Sequence, residues 1–423
     1  MSRLEAFSYR EGKLYCEDVP AEELVARFGT PLYVYSRGTI AERLGEVREA
    51  FGAVDPLIAY SVKANGNLSV LQQLARDGSG ADIVSGGELY RARLAGIPPE
   101  KIVFSGVGKT VTELAGALSA GIYGFNVESE GELRQLAALG EATGKAAPVA
   151  LRVNPDVESP TPHKYTRTGH HETKFGIPID EARRLYAAAA QMPGLELRGV
   201  DVHIGSQILE VEPYVVAVKR VLKLVDELRG QGIQLQYIDI GGGFGIAYDE
   251  DEGPSAHEFA EALVPFLQES GLRTVLEPGR YIVGPAGILL ARVLYIKEMG
   301  KTFVVTDAGM NDLLRPSHYA SYHRVAPVEL HPERDALKVD VVGPICESGD
   351  FLALDRVVER LREGELLVIS TTGAYGFSMA STYNARPRPA EVIVDGGSAR
   401  LVRKRETLDD LVRGEAELME QQG

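Results

Sequence analysis

Leu57-Ile-Ala-Tyr60-Ser-Val62 is an unbroken run of apolar and β-favouring residues that empties into Lys63-Ala-Asn65, after which residues 68–75 take up a helical period. The same unit recurs along the chain. Residues 81–84, 102–105, 124–127, 149–153, 200–204, 237–240 and 273–276 read as further strands, with amphipathic segments at 87–95, 130–139, 181–190, 213–228 and 257–267 among them. Strands that alternate with helices imply βαβ units and a parallel sheet. Eight such units in about 250 residues is the count that closes a (β/α)8 TIM-type barrel. An open doubly wound sheet is the competing arrangement. The barrel is favoured because polar residues stand at the end of nearly every strand, where a barrel keeps its active site.

Beyond Glu277 the character changes. Residues 288–296, 302–306, 338–342, 366–369 and 391–394 are β-type runs without long helices between them, separated by clusters such as Arg386-Pro-Arg-Pro-Ala and Asp395-Gly-Gly. This predicts a C-terminal antiparallel β domain. Strand-like pieces at 13–16 and 32–35 are expected to complete it from the N-terminus. The predicted division is therefore 1–36 for N-terminal strands packing on the β domain, 37–280 for the barrel and 281–423 for the β domain. The charged tail from Glu406 predicts one helix with a frayed end.

Composition narrows the class. The 423 residues carry 45 Lys and Arg against 60 Asp and Glu, a formal charge of −15 that disfavours nucleic acid as a partner. No apolar run approaches the roughly 20 residues that span a bilayer, and the first residues lack a leader's apolar core. With only Cys16 and Cys346, no disulfide framework is expected. These features predict a cytoplasmic protein without membrane partners. The 46 glycines exceed average usage of roughly 7%, and several sit at strand ends.

A lysine directly after a strand is usually a solvated strand end. At a barrel's catalytic face, however, the Lys63 amine can form a Schiff base with a carbonyl. A histidine on an apolar strand is more often a satisfied core residue, but His203 shares its strand end with Ser206. Gly241-Gly-Gly243-Phe-Gly245 follows the seventh strand, where exposed N–H groups can cradle a phosphate. Position 246 is Ile, so the run is not a dinucleotide fingerprint, and a single phosphate is implied. Glu277-Pro278-Gly279-Arg280 ends the eighth strand with a carboxylate and a guanidinium, either a structural ion pair or holders of one protonated heteroatom and one anion. A Schiff-base lysine, one phosphate cradle and a carboxylate at the next strand end suit pyridoxal 5'-phosphate.

Tyr60-Ser-Val-Lys63-Ala-Asn, His203-Ile-Gly-Ser206-Gln, Gly241-Gly-Gly-Phe-Gly and Glu277-Pro-Gly-Arg280, taken together, resemble the fold-type III pyridoxal-phosphate decarboxylases. Leu314-Arg315-Pro-Ser-His-Tyr319, Pro344-Ile-Cys346-Glu347-Ser-Gly-Asp350 and Gly373-Ala-Tyr375-Gly-Phe-Ser-Met-Ala-Ser-Thr-Tyr-Asn384 narrow the resemblance to the members that make L-lysine and CO2 from meso-2,6-diaminopimelate. It runs from about residue 10 to 405, in order. The resemblance implies that Lys63 binds the cofactor covalently and that Asp82, His203 and Glu277 surround its ring, with Glu277 at the pyridine nitrogen. It gives Ser206, Gly243, Glu277, Pro278, Gly279, Arg280 and Tyr375 to the phosphate and its neighbourhood. Substrate binding falls to Arg280, Arg315, Tyr319, Glu347 and Tyr375.

The chemistry agrees. The distal amino-acid end of the substrate needs a cation for its carboxylate, which the arginine fork supplies, and an anion for its ammonium. Ornithine has no distal carboxylate and would give Arg315 no use. Cys346 is implied as the acid that protonates the carbanion, whereas Cys16 reads as a buried structural thiol. The resemblance also implies a homodimer in which the Cys346-Glu347 loop enters the partner's active site. Arg152, at the end of the fifth strand, is a candidate supporting residue near the ring. The long loop at 154–179, with His163, Lys164, Arg167, His170, His171 and Lys174, predicts a mobile lid, and no ligand spacing in it supports a metal. Other readings are a decarboxylase for ornithine, arginine or carboxynorspermidine, an amino-acid racemase of the same fold type, and a catalytically inactive regulatory homologue.

Overall fold

The computed structural model describes residues 6–157, 174–249 and 253–420. The chain divides into two units, one of residues 41–247 and 252–282, the other of residues 1–40, 248–251 and 283–423. The expected lid residues His163, Lys164, Arg167, His170 and His171 lie outside the described residues.

The first unit is a closed parallel barrel. Its eight strands are Leu57–Ser61, Gly80–Ile83, Ile102–Phe104, Gly124–Val127, Ala147–Asn154, Leu195–Asp201, Tyr237–Asp239 and Arg273–Leu276. Each pairs in parallel with the next, and the eighth closes on the first through Val275↔Leu57 and Leu276↔Ile58. Local sequence sets where the helices begin. Ser85 and Ser129 accept from the backbone N–H of Glu88 and Glu132. Thr110 and Ser255 form reciprocal capping boxes with Glu113 and Glu258. Each cap satisfies N–H groups that the first helical turn leaves without intrahelical partners.

The sixth strand begins earlier than its apolar pattern indicates and ends at Asp201, so His203 and Ser206 stand beyond it. Its opening residues, Leu195-Glu-Leu-Arg, are only half-buried, which hides them from a search for continuous apolar runs. The ladder to the fifth strand shifts register between Leu197 and Gly199. Gly199 has a packing reason to be glycine. A Cβ there would lie 2.5 Å from the ring of Tyr237, and one at Gly124 would lie 2.5 Å from its hydroxyl. Tyr237 is fully buried among Leu57, Ala59, Val103, Ala150 and Val275, so one large ring fills the barrel interior and its neighbours give up side chains to admit it.

In the second unit, strand Leu32–Ser36 lies between Gly287–Glu298, antiparallel, and Ala390–Asp395, parallel. Strands Thr302–Thr306 and Ala336–Val342 also pair in parallel, and the remaining ladders of this sheet are antiparallel. The piece at Lys13–Cys16 joins a separate three-stranded sheet with Phe7–Arg10 and Val19–Pro20. That sheet packs Leu14, Cys16 and Val19 against Leu32, Val34, Ile288, Leu290, Val368 and Val392. Strand Phe351–Glu359 has no counterpart in the sequence reading. Its alternation breaks at Asp355, which takes a positive φ of 55° where the ladder is irregular. The tail forms the helix Leu408–Glu420.

Gly199→Ala is expected to cost about 1–3 kcal/mol by forcing a methyl against the Tyr237 ring. Urea unfolding should show a lower midpoint at unchanged slope. An unchanged midpoint would mean that the ring is not confined as described.

Candidate active site

The barrel mouth gathers nine of the sequence-predicted site residues. Lys63 follows the first strand in a short 3-10 turn, Val62–Ala64, and its Nζ lies 2.9 Å from Asp82 Oδ2 at the end of the second strand. Ser61 donates to the same Asp82 oxygen at 2.7 Å and to the carbonyl of Glu277 at 3.0 Å. The turn after the eighth strand is tied on both sides, with Ser61 N–H donating to Pro278 O at 3.2 Å and Glu277 N–H to Gly241 O at 2.8 Å. Arg280 Nη2 donates to Ser206 Oγ at 3.1 Å.

Gly241 and Gly243 have positive φ angles of 70° and 93°, a region that glycine enters without strain. A Cβ at Gly241 would lie 2.7 Å from His203 Nδ1, and one at Gly243 would lie 2.1 Å from Gly205 O. The glycine run is therefore a packed wall that brings backbone against the histidine and the sixth-strand loop.

Beneath these residues lies a buried set that the motif reading did not single out. Glu277 Oε1 accepts from Ser105 Oγ at 3.1 Å and Asn126 Nδ2 at 3.2 Å, and the same Asn126 nitrogen lies 3.2 Å from Asp239 Oδ2. Carboxylate oxygens of Asp201, Asp239 and Glu277 come within 4.8 Å of one another. That oxygen donor set could also take a hard cation, though positive charge is already at hand. Arg152 Nε is 3.9 Å from Asp201 while its Nη1 bonds Glu128 at 3.0 Å. Ser105, Asn126, Asp201 and Asp239 all stand at strand ends. Their only sequence signal was that position.

Burial raises the pKa of Asp201, Asp239 and Glu277, and their mutual proximity raises them further. Asp239 and Glu277 lie close enough that a charge on either opposes ionisation of the other. His203 is shifted the other way. Burial, with the cations Arg152 and Lys63, pushes its pKa well below the ordinary value, so the ring is neutral.

The other five predicted residues, Arg315, Tyr319, Cys346, Glu347 and Tyr375, belong to the second unit. Arg315 is buried, and its Nη1 bonds His323 Nε2 at 2.9 Å. Tyr319 is half-buried, its ring edge-on to His318. Cys346 and Glu347 are exposed on a loop folded around Asp350, whose carboxylate accepts from the backbone of Ile345 and of Met310, each at 2.6 Å. The Cys346 N–H donates to Asn384 Oδ1 at 2.8 Å, and the neighbouring Glu347 raises the pKa of the Tyr383 hydroxyl. Tyr375 holds a positive φ of 56°.

Residues 37–284 match the family model of the pyridoxal-binding domain of pyridoxal-dependent decarboxylases. The chain belongs to this family. Among pyridoxal-dependent decarboxylases, diaminopimelate decarboxylase of Aquifex aeolicus is 50% identical over 406 residues, covering 96% of each chain. That of Pseudomonas aeruginosa is 48% identical, covering 98% of this chain and 99% of its own. The crystal structure of the Helicobacter pylori diaminopimelate decarboxylase complexed with L-lysine superposes with a TM-score of 0.90 at 42% identity, covering 94% of this chain and 99% of that one.

Family membership makes pyridoxal phosphate the cofactor of this decarboxylase, and the barrel mouth fits it. A primary amine, Lys63, stands at the opening with its side chain about one-third exposed. Asp82 Oδ1 is buried without a hydrogen-bond partner among the described residues. A carboxyl suited to a cationic ring nitrogen, Glu277, is fixed by two donors. Among the described residues, no helix is long and apolar enough to cross a membrane.

Because these carboxyls hold protons that the unfolded chain releases near pH 4, the cofactor-free protein loses stability as pH rises above that value toward their raised folded pKa values. Asp239→Asn removes one of them. The drop in stability between pH 5 and pH 8, followed by chemical denaturation, should be smaller in this variant. An equal or larger drop would refute the raised pKa of Asp239.

Proposed function

We propose that the chain removes one carboxylate of meso-2,6-diaminopimelate as CO2 and leaves L-lysine, the last step of lysine biosynthesis. The observation that carries this reading is Arg315, a buried guanidinium on a motif also rich in hydroxyls. It suits the distal carboxylate of diaminopimelate, a group absent from ornithine.

Lys63 would hold the cofactor through its Nζ, with Asp82, His203 and Glu277 about the ring. Ser206, Gly243, Pro278, Gly279, Arg280 and Tyr375 would hold the phosphate and its surroundings. When bound, pyridoxal phosphate supplies the electron sink for the pair of electrons that CO2 leaves behind. Neutral His203 would add no positive charge beside the cofactor, and Glu277 as carboxylate would keep the ring nitrogen protonated. Arg280, Arg315, Tyr319, Glu347 and Tyr375 bind the substrate. Holding its distal end turns the scissile bond toward the ring face, so remote binding is spent on orientation.

Once CO2 has left, Cys346 Sγ would give Cα the proton that takes the place of the lost carboxylate and completes L-lysine. The exposure of Cys346 and Glu347 on their loop supports a homodimer in which that loop serves a partner's site. The same reading puts the enzyme in the cytoplasm, where its substrate and cofactor are made.

Purified protein given meso-diaminopimelate should release CO2 and L-lysine, with far lower rates on the L,L isomer, ornithine and arginine. Turnover of ornithine at comparable rates would overturn the substrate assignment. Lys63→Ala should lose the visible absorption band that borohydride shifts, and a retained band would remove Lys63 from the Schiff base. For Cys346→Ala, kcat should fall about 10²–10⁴-fold, the range for loss of a general acid, while cofactor absorbance stays intact. Full activity would reject Cys346 as the proton donor.

A further inference from the structure

His323 lies outside every motif invoked above, yet it is fully buried and bonded at both ring nitrogens. Nε2 is 2.9 Å from Arg315 Nη1, and Nδ1 is 2.9 Å from the carbonyl oxygen of Ser370. A guanidinium can only donate and a carbonyl can only accept. The ring therefore presents a bare lone pair at Nε2 and its single proton at Nδ1, which makes it neutral and of one tautomer.

The anchor behind it is rigid. Ser370 directly follows strand Leu366–Ile369, Val325–Pro327 pairs antiparallel with that strand, and Ser370 N–H donates to Arg324 O at 2.9 Å. The histidine thus transmits the position of a sheet to a guanidinium carried on the five-residue helix Arg315–Tyr319. Two further contacts fix the fork. Nη2 donates to Ser321 Oγ at 3.3 Å, and the guanidinium carbon lies 4.6 Å from the centre of the Tyr248 ring. Tyr248 in turn meets the His323 ring edge-on at 5.2 Å.

We propose that His323 is a positioning residue for substrate specificity, holding the Arg315 guanidinium in the one orientation that receives the substrate's distal carboxylate. The proposal rests on the assignment of Arg315 given under the proposed function. It predicts that loss of the Nε2 acceptor weakens ligands that carry this carboxylate and spares those that do not. L-Lysine retains the distal carboxylate of diaminopimelate. Cadaverine is the same chain without it.

The test is titration calorimetry of the holoenzyme with each ligand. His323→Asn keeps a donor toward Ser370 and lacks the reach to Arg315, His323→Phe removes both groups, and His323→Gln can supply an acceptor and a donor at comparable spacing. In the Asn and Phe variants L-lysine should bind at least about tenfold more weakly, the scale of one hydrogen bond to a charged group, with KM for meso-diaminopimelate rising in parallel. Cadaverine affinity should stay within about twofold, and His323→Gln should recover most of the loss. Equal weakening of both ligands, or unchanged L-lysine binding in the Asn and Phe variants, overturns the positioning role. Arg315→Ala separates the two assignments. If it still binds L-lysine like the parent, the reading of Arg315 fails, whereas loss there with retention in His323→Asn removes His323 alone.

Discussion

Four carboxyl groups, Asp82, Asp201, Asp239 and Glu277, are buried at the mouth of one parallel barrel, and the rest of the site answers the electrostatic demand this makes. Burying a charge is costly unless it is paired or neutralised. The barrel uses both remedies. Lys63 sits on Asp82, Arg152 approaches Asp201, and burial with mutual repulsion raises the pKa of Asp239 and Glu277. The donors Ser61, Ser105 and Asn126 fill in between them. Several of these groups, the Lys63 amine, the neutral His203 and the Glu277 carboxyl among them, are the ones proposed above to surround the cofactor.

Packing decides how tightly that set is held. Tyr237 fills the barrel interior and obliges Gly124 and Gly199 to be side-chain-free, while Gly241 and Gly243 bring the seventh-strand loop against His203 and the sixth. The excess of glycine is thus partly a record of close backbone approach and not of flexible loops. In the second unit the same economy appears at Arg315, where a short helix is too small to fix a long side chain and a histidine anchored to the sheet does so instead.

Much of this was legible in the residues. The eight barrel strands announced themselves as continuous apolar runs ending in polar residues, and two of them, Gly124–Val127 and Arg273–Leu276, match the reading at both ends. Lys63, His203, Glu277 and the glycine run stood out because residue types with specific chemistry follow an apolar strand. Ser105, Asn126 and Asp239 lie against Glu277, but a single polar residue at a strand end carries no pattern of its own. Strand Phe351–Glu359 was hidden by the Asp355 irregularity, and the start of the sixth strand by its half-buried, charged residues.

By itself the sequence determined the alternation that closes the barrel, the caps that start its helices and the order of the motifs, because these depend on neighbours along the chain. It also determined the family, through motifs long enough to be specific. Only the tertiary structure decided which carboxyls are buried together and hold raised pKa values, which glycines yield to Tyr237 and which tautomer His323 adopts. Those depend on groups tens or hundreds of residues apart meeting within 3 Å or so, where burial and hydrogen bonding set protonation. His323 shows the limit most clearly. Along the chain it is one histidine among eight, and its role comes from lying between an arginine eight residues before it and a carbonyl 47 residues beyond.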